Sequence, residues 1–211
     1  MHASYLLSHN LTKIVGGKVV EMTVAGLALD ASNRSPIVLL RDPSGRRQIP
    51  IWIDHAQAHN IVSGIQNPTR DRDSPLTHDL IVSVLNIGGI NLDRVIIHAL
   101  EDNNFQAVLR LSLKNSDNEN SKKKSTANFE ISARPSDAIA LAVRTKCTIW
   151  MLEEVVADAS IPVDEAADAK DQDEFRRFLS DVRPADLIRH LKGDDQINEK
   201  PFDQPDPESN N

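Results

Sequence analysis

Several features that would define a chemical class are scarce in this chain of 211 residues. It has one cysteine, Cys147, which excludes an intramolecular disulfide framework and any zinc site built from several thiolates. Only eight side chains are aromatic, too few for the stacking platforms that bind single-stranded nucleic acid. No apolar run is long enough to cross a bilayer, and the N-terminus lacks a basic stretch followed by an apolar one. We therefore expect a cytoplasmic protein without a signal peptide.

Charge is unevenly distributed, although the net value is only −7. Residues 1–150 carry 17 Lys and Arg against 14 Asp and Glu, whereas residues 151–211 carry 7 against 17. The mildly basic first part is compatible with a nucleic-acid substrate but lacks a dense basic patch. The acidic residues 151–211 have two possible roles. They can keep the protein soluble, or they can compete with polyanions for binding to residues 1–150.

Apolar periodicity predicts an α+β fold, with a mixed β-sheet core and packed helices. We expect strands at residues 18–29, 37–40, 48–53, 95–100, 105–113, 129–133 and 148–152. Helices are expected at 54–65 and 134–145, and a third helix is opened by Ser74 as its cap and Pro75 in its first turn. The side chains expected to fill the apolar side of that third helix are Leu80, Ile81, Val84, Leu85 and Ile87.

The domain organisation follows from changes of composition along the chain. We expect a flexible leader at 1–17, one domain at 18–163, a short helical appendage at 164–193 and an acidic disordered tail at 194–211. Within the domain, the Asn-, Ser- and Lys-rich segment 114–127 predicts the tip of a long hairpin. In the appendage, Phe175 and Phe178 begin an amphipathic spacing that predicts a short docked helix.

A unit of three strands and a helix occurs twice, at residues 18–65 and 94–145. Aligning Ile51 with Ile131 places Gln57 on Asp137, so that both helices begin just after a strand and carry a polar side chain in their first turn. This pattern predicts an internal duplication with two exposed helix starts. Chance alignment of two strand-then-helix segments is the alternative.

The first segment with chemical potential is the start of the third helix. Thr77, His78 and Asp79 offer a hydroxyl, an imidazole and a carboxylate within one turn. Free backbone N–H groups and the helix dipole favour an anion such as phosphate there. Ordinary helix capping would also account for an early hydroxyl and an early acid.

The second such segment runs from Arg134 to Ala142. Arg134 can pair with a phosphate through two hydrogen bonds, and Asp137 can act as a metal ligand or base. Pro135 and Asp137 are also residues that helix starts favour for structural reasons. Alternate alanines in this helix indicate a close approach to a sheet or another helix.

Four further residues are of types that can carry chemistry, but a structural interpretation is favoured for each. His55 and His59 share a helix face at the spacing of metal ligands, but without an acid between them a solvated face is favoured. His98 is expected to be partly buried with a hydrogen-bond partner. Cys147 is expected to pack as a small apolar side chain.

The segments Pro75–Leu80 and Arg134–Ala142 together resemble the two signature motifs of the bifunctional nuclease domain family, and the resemblance extends over about residues 18–160. The closing strand at 148–152 with Glu153-Glu154-Val155 is part of it. The resemblance implies a compact α+β domain associated with cleavage of DNA and RNA. In one departure, the family pattern Ile-Gly-x-x-Glu-Ala is here Ile53-Asp54-His55-Ala56-Gln57-Ala58, so Gln57 stands in place of a glutamate. A site that requires that carboxylate would be weakened here.

These observations lead to one main hypothesis, a nuclease that hydrolyses phosphodiester bonds of DNA and RNA with Mg²⁺ or Mn²⁺. Asp137 and Asp79 are the expected metal ligands or base, and His78 is the expected proton shuttle. Arg134, Ser136 and Thr77 are the expected phosphate contacts.

Two alternatives remain open at this point. One is a non-catalytic module that binds an anionic ligand or a partner protein, which the weak basicity and Gln57 favour. The other is a homo-oligomer that assembles through an exposed sheet edge or the acidic helix.

Overall fold

The computed structural model describes residues 17–66, 75–113, 128–163 and 172–178. The chain divides into a unit ending at Phe175 and a second unit from Arg176 onward, of which residues 176–178 are described. The elements are β1 (Val19–Leu29), β2 (Pro36–Arg41), β3 (Arg47–Trp52), α1 (His55–Gln66), α2 (Thr77–Ile87), β4 (Ile90–Glu101), β5 (Asn104–Leu113), β6 (Asn128–Ala133), α3 (Pro135–Thr145), β7 (Thr148–Leu152), α4 (Glu153–Ala159) and β8 (Ile161–Pro162). Residues 172–178 are also helical.

The eight strands form one mixed sheet in the order β6-β5-β4-β7-β1-β2-β3-β8. Strands β4 and β7 are parallel, and every other neighbouring pair is antiparallel. The predicted α+β class is therefore confirmed. The two meanders β1-β2-β3 and β4-β5-β6 extend in opposite directions from β7, and each is followed by a helix. Their common origin by duplication stays a prediction.

Successive side chains in the central strands point to opposite faces of the sheet, and the buried apolar residues follow this alternation. Ile49 and Ile51 in β3, and Ile53 just after it, are buried at alternate positions, as the sequence predicts. In β4, Val95 and Ile97 have no exposed surface, while Ile96 points to the opposite face and packs with Val108 and Trp150. Both faces of the sheet are therefore covered near its centre.

Helices α1 and α3 pack closely against each other. A Cβ atom built on Gly64 of α1 would lie 2.6 Å from Cγ2 of Val143 and 2.6 Å from Nη1 of Arg144 in α3. In α3, Ala138, Ala140 and Ala142 are buried, as the predicted close approach requires. Small side chains on both helices therefore permit the close packing of α1 against α3.

Helix α2 differs from its prediction in two respects. It begins at Thr77, so Pro75 lies outside the helix, and Leu76 rather than Ser74 stands in the capping position. The second difference concerns burial, because His78 is the buried residue of this helix. The residues expected to fill its apolar side are largely exposed, at 56% for Leu80, 38% for Ile81, 59% for Val84 and 88% for Ile87. The apolar stripe predicted from the sequence is therefore present on α2, but no described element covers it.

Other predictions have mixed outcomes. Phe175 is buried as expected for a docked helix, with 4% of its surface exposed, whereas His98, expected to be partly buried, is buried with 6% exposed. Burial raises the pKa of the Cys147 thiol, which suits a packing role better than a reactive one. The closing strand lies at Thr148–Leu152 as predicted, and Glu153 begins helix α4 directly after it.

Some predictions concern residues outside the described ranges. They are most of the leader, the hairpin tip at 114–127, most of the appendage and the acidic tail. Among the described residues, no helix has the length and apolar character needed to span a bilayer.

Candidate functional site

The two chemical segments of the sequence meet where the start of α2 lies against the start of α3. His78 Nε2 is 3.3 Å from Asp137 Oδ1, although 59 residues separate them in the chain. The side chain of His78 is 8% exposed and that of Asp137 is 42% exposed. The contact therefore has a buried end, the imidazole, and a solvent-facing end, the carboxylate.

The other ring nitrogen of His78 determines how this contact works. Nδ1 is buried and has no hydrogen-bond partner in the described part of the chain. An imidazole that carries its proton on Nε2 donates it to Asp137 and leaves only a lone pair on Nδ1. The reverse tautomer would bury an unsatisfied N–H, which is the costlier arrangement. The geometry thus favours His78 as a donor that orients Asp137.

Asp79 is engaged in a different way. Its Oδ1 accepts a hydrogen bond from Arg144 Nε at 2.6 Å, and its Oδ2 accepts one from the backbone N–H of Leu76 at 2.9 Å. The second bond satisfies a free donor at the start of α2. The Arg144 side chain is 3% exposed and that of Asp79 is 22% exposed, so this is a mostly buried ion pair. Both carboxylate oxygens of Asp79 have structural uses.

Arg144 is the residue of the site that the sequence analysis missed. Besides Asp79, its guanidinium donates from Nη1 to the carbonyl oxygens of Asn60 and Ala140, both at 2.9 Å. It therefore connects α1, α2 and α3. Its spacing from Asp137 is a signal that could have identified it, because residues seven apart share one face of a helix.

The predicted phosphate contacts differ in accessibility. Arg134 is 77% exposed, and its Nε lies 3.7 Å from Asp137 Oδ2. Thr77 is exposed in the first turn of α2, whereas Ser136 is 5% exposed. In α3 the N–H groups of Ser136 and Asp137 precede the first helical bond, which Ala138 N–H makes to Arg134. Ser136 as a whole residue is therefore far less accessible than Arg134 or Thr77.

Hydrogen bonds at the start of α1 show the structural role of Gln57, the residue that departs from the family pattern. Asp54 N–H donates to Gln57 Oε1 at 2.9 Å, and Gln57 N–H donates to Asp54 Oδ1 at 2.7 Å. This reciprocal capping accepts Glu or Gln at the third helical position. Gln57 therefore preserves the helix start that a glutamate would form. His55 and His59 on the same helix are exposed, as expected for a solvated face.

The described residues contain no group of three or more His, Cys, Asp or Glu side chains placed to share a metal ion. At the α2–α3 junction, Asp137 is the more exposed of the two carboxylates, at 42% against 22% for Asp79. Arg134 and Arg144 balance Asp79 and Asp137 in formal charge. A phosphodiester would find no excess positive charge here. An accompanying divalent cation, held by one carboxylate and by the phosphate itself, fits this donor set.

Two comparisons place the chain among known proteins. The family model for the bifunctional nuclease domain matches residues 38–164, which include both chemical segments. Proteins from two strains of Mycobacterium tuberculosis are each 33% identical to the chain over 178 residues. The match covers 79% of this chain and 97% of each relative. Both relatives are described as uncharacterized proteins.

Proposed function

Since the chain belongs to the bifunctional nuclease domain family, we propose that it is a cytoplasmic nuclease that hydrolyses phosphodiester bonds of DNA and RNA with a divalent cation. The observation that carries this proposal is the 3.3 Å contact between His78 and Asp137. It joins the two family segments at one place and leaves the Asp137 carboxylate facing solvent. The scissile phosphate would bind there.

The phosphate-binding part of the proposed site is the N-terminus of α3. The backbone N–H groups of Ser136 and Asp137 and the positive end of the helix dipole attract an anion. Arg134 adds an exposed guanidinium that can form two hydrogen bonds to phosphate oxygens. Thr77, exposed at the start of α2, offers a hydroxyl from the other motif.

Asp137 is the proposed base and metal ligand, and His78 is proposed to hold it in place. With Oδ1 fixed by the buried imidazole, the other oxygen of Asp137 lies beside the exposed Arg134 guanidinium, and we propose that it accepts a proton from an attacking water molecule there. Because His78 is 8% exposed, a positioning role suits it better than the proton shuttle expected from the sequence.

A divalent cation at this site would activate water and neutralise charge that develops on the phosphate. It would also relieve the repulsion between the Asp137 carboxylate and the incoming phosphate at the same helix start. Asp137 is the residue proposed to hold it. Asp79 remains a second predicted ligand or base, but it would have to share oxygens already bonded to Arg144 and Leu76.

The direct experiment compares cleavage of supercoiled plasmid and of RNA by the purified chain, with Mg²⁺, with Mn²⁺ and with chelator. We expect cation-dependent cleavage of both substrates. Asp137→Asn should reduce kcat by roughly 10²–10⁴-fold, because it removes a base. His78→Phe should reduce kcat by about 10–100-fold with little change in KM, as for residues that orient a ligating group.

Two further variants control this experiment. Asp158→Asn removes an exposed acid of α4 and should cleave as the wild type does. His78→Gln retains an N–H donor and should recover part of the loss in the Phe variant. If wild-type cleavage does not exceed that of Asp137→Asn, the nuclease proposal is refuted.

One observation favours a second candidate, a module that binds an anionic ligand without turnover. The described residues lack a preformed cluster of metal ligands, and the α3 start with Arg134 suffices to hold a phosphate. This candidate predicts thermal stabilisation by nucleotides or inorganic phosphate that Arg134→Ala abolishes, together with no cleavage.

A further inference from the structure

Exposed apolar side chains are concentrated in one region of the described chain. Seven of its eleven exposed large hydrophobic residues lie on α2 and on the neighbouring β5–β6 edge. We name these residues the α2–β6 patch; they are Leu80, Ile81, Val84, Ile87, Leu113, Phe129 and Ile131. His78 lies on the buried side of α2, away from the patch, whereas Thr77 shares the exposed side with Leu80 and Val84.

The register of the sheet shows that the β5–β6 part of the patch lies on one face. Leu111 is paired with Phe129 and Leu109 with Ile131, and Leu113 is two residues beyond Leu111 on the same side of β5. Their exposed fractions are 42% for Leu113, 46% for Phe129 and 51% for Ile131. Strand β6 is also the end of the sheet.

The helical part of the patch is continuous with this face. After Ile87, the Gly88–Gly89 turn leads into β4 at Ile90, which is paired with Leu113. A Cβ atom built on Gly88 would lie 3.6 Å from Cδ1 of Ile90, so the Ile90 side chain lies against the end of α2. The apolar surface therefore runs from α2 across Ile90 to Leu113.

The spacing along α2 is that of a helix that packs against another helix. Leu80, Val84 and Ile87 follow one another at intervals of four and three residues, which is the interval pattern of a coiled-coil seam. No charged residue occurs between Leu80 and Leu92. Two copies of such a surface can therefore approach each other without like-charge repulsion.

We propose that the α2–β6 patch is the interface of a homodimer, with the patch of a second copy of this chain as its occupant. A two-fold axis brings the same surface of both copies together, so an uncharged apolar seam is its own complement. Large apolar side chains exposed by about half present roughly 100 Å² each, since a buried aromatic removes about 150–250 Å². The seven together approach the ~800 Å² per partner of a standard stable interface and exceed the patch that monomers ordinarily expose.

The test measures the mass of the full chain by analytical ultracentrifugation over a range of micromolar concentrations. The expected wild-type species has twice the 23.4 kDa chain mass. Val84→Glu and Ile131→Glu place a charge in the patch on α2 and on β6, and each should weaken the dimer at least tenfold. Ile161→Glu, at the opposite end of the sheet where Ile161 is 44% exposed, is the matched control and should leave it unchanged.

A measurement on the wild type keeps the proposal testable if a variant fails to fold. Amide hydrogen exchange of residues 80–87 should slow as the protein concentration rises, whereas exchange in α1 should not change. A wild-type monomer at all concentrations overturns the proposal. So does a dimer that both patch variants leave intact or that the control weakens equally. A monomer with concentration-independent protection of 80–87 would assign the patch to another segment of the same chain and would also overturn it.

Discussion

The ion pair between Asp79 and Arg144 permits a quantitative prediction. Arg144→Met should lower the free energy of unfolding by about 2–3 kcal/mol, because Asp79 loses its partner but keeps some solvent contact at 22% exposure. Asp79→Asn should cost about 3–5 kcal/mol, because it leaves a positive charge on a side chain that is 3% exposed. Asparagine still offers an oxygen to the N–H of Leu76. The expected fall in melting temperature is roughly 2–4 °C per kcal/mol for a chain of this size.

The double variant Asp79→Asn/Arg144→Met isolates the pair itself. Both buried charges are absent in it, so its loss of stability should be smaller than the sum of the single losses by about 2–3 kcal/mol. Urea denaturation followed by circular dichroism measures all three variants. Glu153→Gln, which breaks the exposed pair with Arg47, is the control and should cost less than about 1 kcal/mol. Losses that add within about 0.5 kcal/mol would show that the pair is not formed in solution, and would refute the argument.

The same double variant separates the two possible roles of Asp79. If Asp79 acts only through Arg144 and the start of α2, plasmid cleavage by the folded double variant should stay within about tenfold of the wild type. If Asp79 is a metal ligand or base, cleavage should fall by roughly 10²-fold or more in both Asp79 variants, whatever their stability. Assaying cleavage well below the melting temperature of each variant keeps the two effects apart.

Two further predictions concern stability rather than cleavage. Burial alone would raise the pKa of Asp42, but hydrogen bonds from Ser44 and Arg47 hold it below its ordinary value. The stability that this carboxylate contributes is therefore present above about pH 4, its unfolded range, and is lost as the pH falls through the lower folded value. Asp42→Asn should flatten the pH dependence of the urea midpoint in that acid range; an unchanged dependence would contradict it. Separately, Gly64→Ala should destabilise the fold by about 1–3 kcal/mol despite the better helix propensity of alanine, because its Cβ would contact Val143 at 2.6 Å. A higher melting temperature would disprove the close approach of α1 and α3.

The elements of the fold were predictable to the extent that their signals are local. Alternating apolar residues identified β3 and β5, because a strand exposes one face and buries the other over two residues. The strands predicted at 95–100 and 105–113 leave a short turn between them, where Asp102 and Asn103 have positive φ angles of 49° and 61°. Asn and Asp tolerate that conformation better than most residues.

The start of α2 shows where local signals compete. Ser74 and Pro75 form a good helix opening by sequence alone, yet the helix begins at Thr77. Asp79 explains the difference, because its carboxylate caps Leu76 and at the same time pairs with Arg144 from α3. A partner 65 residues away cannot be read from the spacing of neighbouring residues.

The sequence alone determined which reactive side chains are available and which apolar repeat, helical or strand-like, each segment follows. The two segments that contain His78 and Asp137 were recognisable because each is contiguous, and their helices and strands follow from patterns within a few residues. The tertiary structure decided which of these groups meet, since packing of α1, α2 and α3 brings His78 to Asp137 and gives Asp79 to Arg144. It also decided that one face of α2 stays exposed, because an amphipathic pattern specifies an apolar stripe but not the surface that covers it.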